Sequence, residues 1–563
     1  MSGPRAISTS GLWPGAGGAL PLRPAPIPPG LPLSTAAHAG ARAPLRRALT
    51  ALACGVVLGT CCVEPGAWPL ALVALMLAAG AQREHGGRGP SPQMLTWAGL
   101  LAAGQWWVWL APAVSGPGSD LWRALAVLVT VGTGLLAMAV SRGLIRWATA
   151  GRWPALQWLL AWAAVEPLRQ TGWAGNGGAG LGLPFLDAPG AAGWIPLLGL
   201  AGWGVLVAAL AWAGAGALQV GMGLAPDARR RTAVLAAALL LVLAGEPLAR
   251  IDWTRPTGRS LPVTLLQLDR DKHAPWSAAQ RDEGERRLLA ALGTATPGTA
   301  VITPENFFGE PRPTEPDDFW LALQDITAAR GVHALIGLPG LLPTPEGPRV
   351  MNTLLQIAPG RESVYAKERL VPVAESLPFE AWLPAAWQGL FGPGLHGQQP
   401  GPEPLHAPLF IDGHLLGASI CHEQAFARTL ADRARGSQAL LNVSEDGWIP
   451  SAMFRAQMQG LARARALEAG LPLLRVSNGG RSLLIDAQGR LERQAPAHGD
   501  LRLDWDLAPR DGQTPHTRLA GVWAALPWAL IGALGLWRLW RAPPPVPRSA
   551  RAAAATNPSP AAR

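Results

Sequence analysis

Apolar runs at about 48–63, 66–82, 93–112, 121–140, 153–168, 191–217 and 232–246, with an eighth at 519–537, constrain this chain more than any other feature. A helix crossing ~30 Å of hydrocarbon needs ~20 mostly apolar residues, and in lipid every backbone N–H and C=O must be bonded within its own segment. Runs of this kind therefore point to a bundle of membrane helices. Composition agrees: 49% of the residues are hydrophobic and 15% charged, where soluble domains carry roughly 25% charged residues.

The runs near 48, 153 and 232 are short for a crossing, so the set is tested by its arginines. With the amino terminus inside, eight crossings put Arg5, Arg23, Arg42, Arg46 and Arg47, then Arg83 and Arg88, then Arg142, Arg146 and Arg152, then Arg229, Arg230 and Arg231, then Arg538, Arg541, Arg548 and Arg551 on one face. The opposite short loops hold only Arg123 and Arg169. Positive residues collect on the cytoplasmic side, so this asymmetry predicts eight spans with both termini inside and one large outer block. A short run that proves re-entrant or buried would flip the block only if an odd number of crossings were lost. The net charge of +10 comes from arginines scattered beside apolar segments rather than massed on one stretch, which argues against nucleic acid as a partner and for a lipid bilayer.

The expected organisation is a disordered cytoplasmic head over 1–46, rich in Pro, Gly and Ala, a membrane bundle of about seven helices over 47–249, and an outer, periplasmic domain over 250–515. A final transmembrane helix at 516–540 and a disordered cytoplasmic tail at 541–563 complete it. In the outer block charges return and apolar runs shorten. LPVTLLQL (261–268), TAVITPE (299–305), HALIGLPG (333–340), MNTLLQIA (351–358), LLGASICHE (415–423), QALLNVS (438–444) and PLLRVSN (472–478) read as strands, and 277–292, 317–330 and 453–470 as helices between them. That alternation predicts a layered α/β domain.

Three polar residues close or follow short strands in this block: Glu305, Lys367 and Cys421. Strand ends are where layered α/β folds bring distant residues together over a crevice. A thiol near a carboxylate base and an ammonium can attack a carbonyl, the base taking the proton and the ammonium stabilising the oxyanion. The bland alternatives are inert packing for the cysteine and a solvated surface position for the lysine. Against them, Cys421 has no disulfide partner in the outer block, because Cys54, Cys61 and Cys62 share one apolar run. Lys367 and Lys272 are the only lysines among 47 basic residues, so Lys367 resists the chain's own preference for arginine. Neither a metal-ligand spacing nor a disulfide framework can be assembled from the four cysteines.

At these residues the chain resembles the nitrilase (carbon–nitrogen hydrolase) superfamily and, within it, the bacterial apolipoprotein N-acyltransferases. The segments ITPENFF (302–308), YAKERLVPVAESLPF (365–379) and ICHEQAF (420–426) resemble the three motifs of its Glu-Lys-Cys triad. The likeness continues through NVSEDGW (442–448), residues 463–480 and TPHTR (514–518). It implies a multi-spanning α-helical membrane bundle carrying an α/β nitrilase-like αββα sandwich. It also implies Glu305 as general base, Lys367 as oxyanion stabiliser and Cys421 as nucleophile, with Glu375 and Glu423 in support and no cofactor or metal. The implied partners are a phospholipid acyl donor and an apolipoprotein acceptor, met at the inner membrane. Membrane-tethered amidase or nitrilase activity, or a part in a conjugal-transfer or envelope assembly, are the alternatives.

The chain departs from that family at Glu445-Asp446-Gly447-Trp448-Ile449, at His422 where Tyr is common, at Asn306, Phe307 and Phe308 after the base, and across 166–184, which lacks an aromatic Phe-Pro-Trp signature. Trp382, Trp387, Trp448 and Trp523 are candidates for interfacial anchors, with core packing as the equal alternative.

Overall fold

The computed structural model describes residues 34–85, 90–110, 119–172, 175–223, 227–269, 276–345, 347–372, 374–376 and 398–541. Residues 1–33 of the expected head, residues 542–563 of the expected tail, and Lys272, Trp382 and Trp387 lie outside them.

Each apolar run coincides with a helix. The first seven fall on α1 (Ser34–Cys61), α2 (Trp68–Arg83), α3 (Pro92–Gly104), α4 (Ser119–Ala148), α5 (Pro154–Arg169), α6 (Ala191–Gly221) and α7 (Ala228–Leu243), which a short α8 (Gly245–Leu248) extends. The eighth is the closing helix Pro515–Arg541. α1 begins inside the segment expected to be a disordered head, where STAAHAGARA supplies strong helix formers.

Among the described residues five helical stretches are long and apolar enough to cross a membrane: Pro65–Arg83, Arg123–Ala148, Ala191–Gly221, Ala228–Leu248 and Pro515–Arg541. They mark the chain as a membrane protein. α3 has 13 residues and α5 has 16, about 20 and 24 Å at ~1.5 Å per residue, shorter than the hydrocarbon core. α5 instead fills the bundle interior, with Trp158, Trp162 and Val165 buried and the Trp162 ring edge-on to Trp97 at 5.6 Å. α1 and α3 meet through small residues. A Cβ on Gly55 would stand 2.1 Å from the Thr96 carbonyl oxygen, and one on Gly99 2.4 Å from that of Leu52, so only glycine allows the two backbones this approach.

The outer block forms two six-stranded sheets. In chain order its elements are β1 (Thr254–Pro256), β2 (Leu261–Gln267), α9 (Ala278–Thr294), β3 (Ala300–Ile302), α10 (Asp318–Arg330), β4 (His333–Leu342), β5 (Arg349–Ala358), β6 (Arg361–Ala366), β7 (Leu409–Ile411) and β8 (His414–Ile420). There follow α11 (Ala427–Ala434), β9 (Ala439–Glu445), α12 (Ala452–Ala469), β10 (Leu473–Asn478), β11 (Leu483–Ile485), β12 (Leu491–Gln494), β13 (Leu501–Leu507), β14 (Arg510–Gly512) and α13, the closing helix. One sheet runs β13-β2-β3-β4-β5-β6 and the other β12-β11-β10-β9-β8-β7.

Side chains alternate along each strand, and the inner strands β2, β3, β9 and β10 bury both faces almost throughout. Leu261, Val263, Leu265, Ile302 and Leu335 of the first sheet meet Ile420, Leu441, Val443 and Val476 of the second in one core. The opposite faces take α9 and α10, through Leu288, Leu292, Phe319 and Leu323, and α11 and α12, through Leu430, Ala462 and Ala466. The result is the αββα sandwich. β1 pairs with β14, which joins the block's entry and exit strands just before α13 and returns the chain to the membrane where it left.

Candidate active site

Glu305, Lys367 and Cys421 all lie beyond strand ends. Glu305 follows β3, Lys367 follows β6, and Cys421 follows β8 of the facing sheet. The Lys367 ammonium is completely buried and donates to Glu375 at 2.7 Å and to Glu305 at 3.0 Å. Burial works against this charge, but Glu305, Glu375 and Cys421 more than offset it and hold Lys367 protonated, well above the ordinary lysine range. Glu305 accepts two further bonds, from the Asn352 amide at 2.7 Å and from the backbone N–H of Glu445 at 2.9 Å. Glu375 receives the Val371 N–H at 2.7 Å on its other oxygen.

Cys421 turns the chain out of β8 with φ of +55°, a left-handed conformation that costs a non-glycine residue about 1–2 kcal/mol. Neighbours stabilise the turn. The Asn442 amide donates to the Cys421 carbonyl at 3.1 Å, and Glu423 receives the Ile420 N–H at 2.6 Å. A side chain on such a strand-to-helix turn is presented clear of its own strand. Burial first, and then the Glu305 charge, push the Cys421 thiol up, with Lys367 opposing; the resting side chain is therefore a thiol in the field of a carboxylate.

Glu423 ties the two motifs together. One carboxylate oxygen receives the N–H groups of Glu368 and Arg369 at 2.7 and 3.0 Å; the other receives the Tyr365 hydroxyl at 2.8 Å as well as Ile420. The single tyrosine of the chain and the segment after Lys367 are thus clamped to the cysteine turn. Glu368 extends the clamp to Arg433 at 2.6 Å.

All five expected residues are brought into one cluster. The sequence missed Asn352, whose amide donates to Glu305 and, at 3.4 Å, to Glu375, while its carbonyl receives the Lys367 N–H at 2.8 Å. Its sole signal was a polar residue inside MNTLLQIA. The departures from the family pattern are mostly structural: Phe307 and Phe308 pack into the α9–α10 core, and Asp446 makes a buried two-point pair with Arg475 at 2.9 Å.

The membrane part reaches the cysteine turn directly. A Cβ on Gly177 would lie 2.1 Å from the Ala425 carbonyl oxygen, and Ala425 and Phe426 belong to the apolar core of the bundle. The Gly177 loop is held by a buried Glu166–Arg169 pair at 2.8 Å, by Arg169 on the Asn176 carbonyl at 2.5 Å and by Asn176 on Gln105 at 2.9 Å. α12 adds Gln457, which exchanges 3.0 Å bonds with Trp107 and the Gly104 carbonyl.

The carbon-nitrogen hydrolase family profile matches residues 295–501. An apolipoprotein N-acyltransferase of Azotobacter vinelandii is 30% identical over 525 residues, covering 88% of this chain and 95% of that protein. Those of Ralstonia nicotianae and Nitrosomonas europaea are 28% and 26% identical, over 75% and 83% of this chain and 79% and 92% of theirs. Among solved structures, an amidase of the nitrilase superfamily from Nesterenkonia aligns at a TM-score of 0.32 and 21% identity, over 45% of this chain and 93% of that one. The relatives match through both the membrane part and the sandwich, and the chain belongs to the apolipoprotein N-acyltransferase family.

Proposed function

We propose that this protein is an N-acyltransferase of the bacterial inner membrane, moving a fatty acyl chain from a phospholipid to the terminal amine of an apolipoprotein through a thioester on Cys421. The observation that carries the reading is the Lys367 ammonium, buried between Glu305 and Glu375 with the Cys421 thiol in its field, in a chain of this family.

In the first half-reaction Glu305 takes the Cys421 proton as sulfur attacks the ester carbonyl. Lys367 stabilises the negative oxygen of the tetrahedral intermediate, and lysophospholipid leaves with the proton from Glu305. In the second, an amine attacks the thioester and Glu305 accepts its proton. Glu375 keeps Lys367 in place, and Glu423 holds the cysteine turn against the lysine segment. Both substrates are lipids, so a bundle that touches the cysteine turn gives them a route that stays in the bilayer. An apolar entrance also limits water, the competing nucleophile, and favours transfer over hydrolysis. The arginine asymmetry supports placing the sandwich on the outer, periplasmic face. The amidase and envelope-assembly alternatives are not favoured, because the acyltransferase relatives match over most of their length.

The test uses full-length protein with phospholipid bearing a labelled acyl chain, quenched in acid and read by intact-mass and peptide spectrometry. A labelled thioester on the peptide containing Cys421, absent from Cys421→Ala, is the expected result. No adduct on the unaltered protein overturns the reading.

A further inference from the structure

His422 directly follows the proposed nucleophile, and no step above uses it. Its ring stands edge-on to Phe426, with centroids 5.3 Å apart at 85°, and the Arg369 guanidinium covers Phe426 at 5.5 Å. Phe426 belongs to the bundle's apolar core, while Lys367 acts on the imidazole from the carboxylate cluster. The ring therefore sits at the boundary between the triad and the lipid side. Burial first, then Lys367 and Arg369, hold its pKa well below the ordinary histidine range, so it is neutral at physiological pH. A neutral imidazole carries one N–H donor and one bare acceptor nitrogen. Both Nδ1 and Nε2 are buried here, and among the described residues neither has a hydrogen-bond partner. Folded proteins rarely leave buried polar atoms unsatisfied, and such atoms beside a nucleophile point to a group that arrives with the substrate.

We propose that His422 is the hydrogen-bond station for the attacking amine: its bare ring nitrogen accepts one N–H of the acceptor's primary amine and aims the nitrogen lone pair at the thioester carbonyl on Cys421. The inference rests on the acyltransferase reading above. In this step the amine lone pair forms the C–N bond, the C–S bond breaks, and the Cys421 thiolate is expelled. The proton released by the amine passes to Glu305 and from there to the thiolate; His422 accepts a hydrogen bond and takes no proton. The cations beside the ring favour a neutral amine, which is the nucleophilic form. An ester carbonyl carries no N–H for the acceptor nitrogen to receive, so this acceptor contact belongs to the second half-reaction.

The experiment separates the half-reactions on the full-length protein in detergent, using labelled phospholipid and a lipopeptide with a free terminal amine. His422→Phe should acquire the Cys421 thioester at a rate close to that of the unaltered protein, then transfer the chain at least ~10-fold more slowly, a change equivalent to about 1.4 kcal/mol. The thioester should accumulate, which itself shows that the variant folds around a working nucleophile. His422→Gln, with an amide donor and acceptor, should recover part of the transfer rate. Unchanged transfer by His422→Phe, or an equal loss in both half-reactions, overturns the inference while leaving the acyltransferase reading intact. Failure of the unaltered protein to form the thioester overturns that reading and this inference with it.

Discussion

Lys367 makes a shorter hydrogen bond to Glu375, at 2.7 Å, than to Glu305, at 3.0 Å. The ammonium is thus shared, and the carboxylate proposed as base is not its sole counter-ion. Glu375 therefore takes part of the Lys367 charge that Glu305 would otherwise hold alone. Removing one partner of a buried ion pair leaves the other charge uncompensated and costs about 3–5 kcal/mol. Glu375→Ala leaves Lys367 with Glu305 as counter-ion and should lower stability by less than that, by about 1–3 kcal/mol in chemical denaturation. Glu375→Gln should keep the fold but lower turnover by at least ~10-fold, since Lys367 would then bind Glu305 alone. Full turnover in Glu375→Gln would rule out a shared ammonium as a requirement.

The raised Cys421 pKa gives a pH signature. A folded-state value above the ordinary thiol range means that less thiolate is present at neutral pH than in a free cysteine, whose pKa is about 8.5. Alkylation of Cys421 by iodoacetamide, followed on its own peptide, should be slower than that of free cysteine at pH 8 and should keep rising above pH 9. Glu305→Gln removes the carboxylate charge that raises the thiol, so alkylation at pH 8 should speed up while acyl transfer falls for want of a base. Parallel changes in the two rates would contradict the assignment of Glu305.

Asn352 donates to the proposed base, Glu305, and to Glu375. A hydrogen bond to a charged group contributes about 1.5–3 kcal/mol, so Asn352→Leu should lower kcat by about 10- to 100-fold. KM for the acyl donor should hardly change, because the side chain contacts Glu305 and Glu375 rather than substrate. Asn352→Asp adds a carboxylate beside two others and should be worse than the leucine variant. A KM effect with kcat intact would place Asn352 in substrate binding instead.

Much of this protein was determined by its sequence alone, because the relevant physics is local. Apolar runs located the helices of the membrane part, although only five stretches among the described residues are long and apolar enough to cross a membrane, and arginine asymmetry predicted an orientation for them. Short apolar runs and the helical patterns between them located the main strands and helices of the sandwich, and the three polar residues stood at or just beyond strand ends. The short strands β1, β7, β11, β12 and β14 were not legible, and neither was the seven-residue β13, where Arg502, Asp504 and Asp506 leave no apolar run.

Only the tertiary structure decided what those residues touch. Glu305 and Lys367, 62 positions apart, meet because β3 and β6 end at the same side of one sheet, whereas Glu305 and Glu445, 140 apart, meet because the two sheets pack face to face. Asn352 becomes part of the site only when β5 lies beside β6, and Gly177 matters only because the bundle presses a loop against Ala425. Local periodicity shows which face of an element is apolar. Which polar groups then meet depends on how the layers are stacked, a property of the packed whole that no single segment encodes.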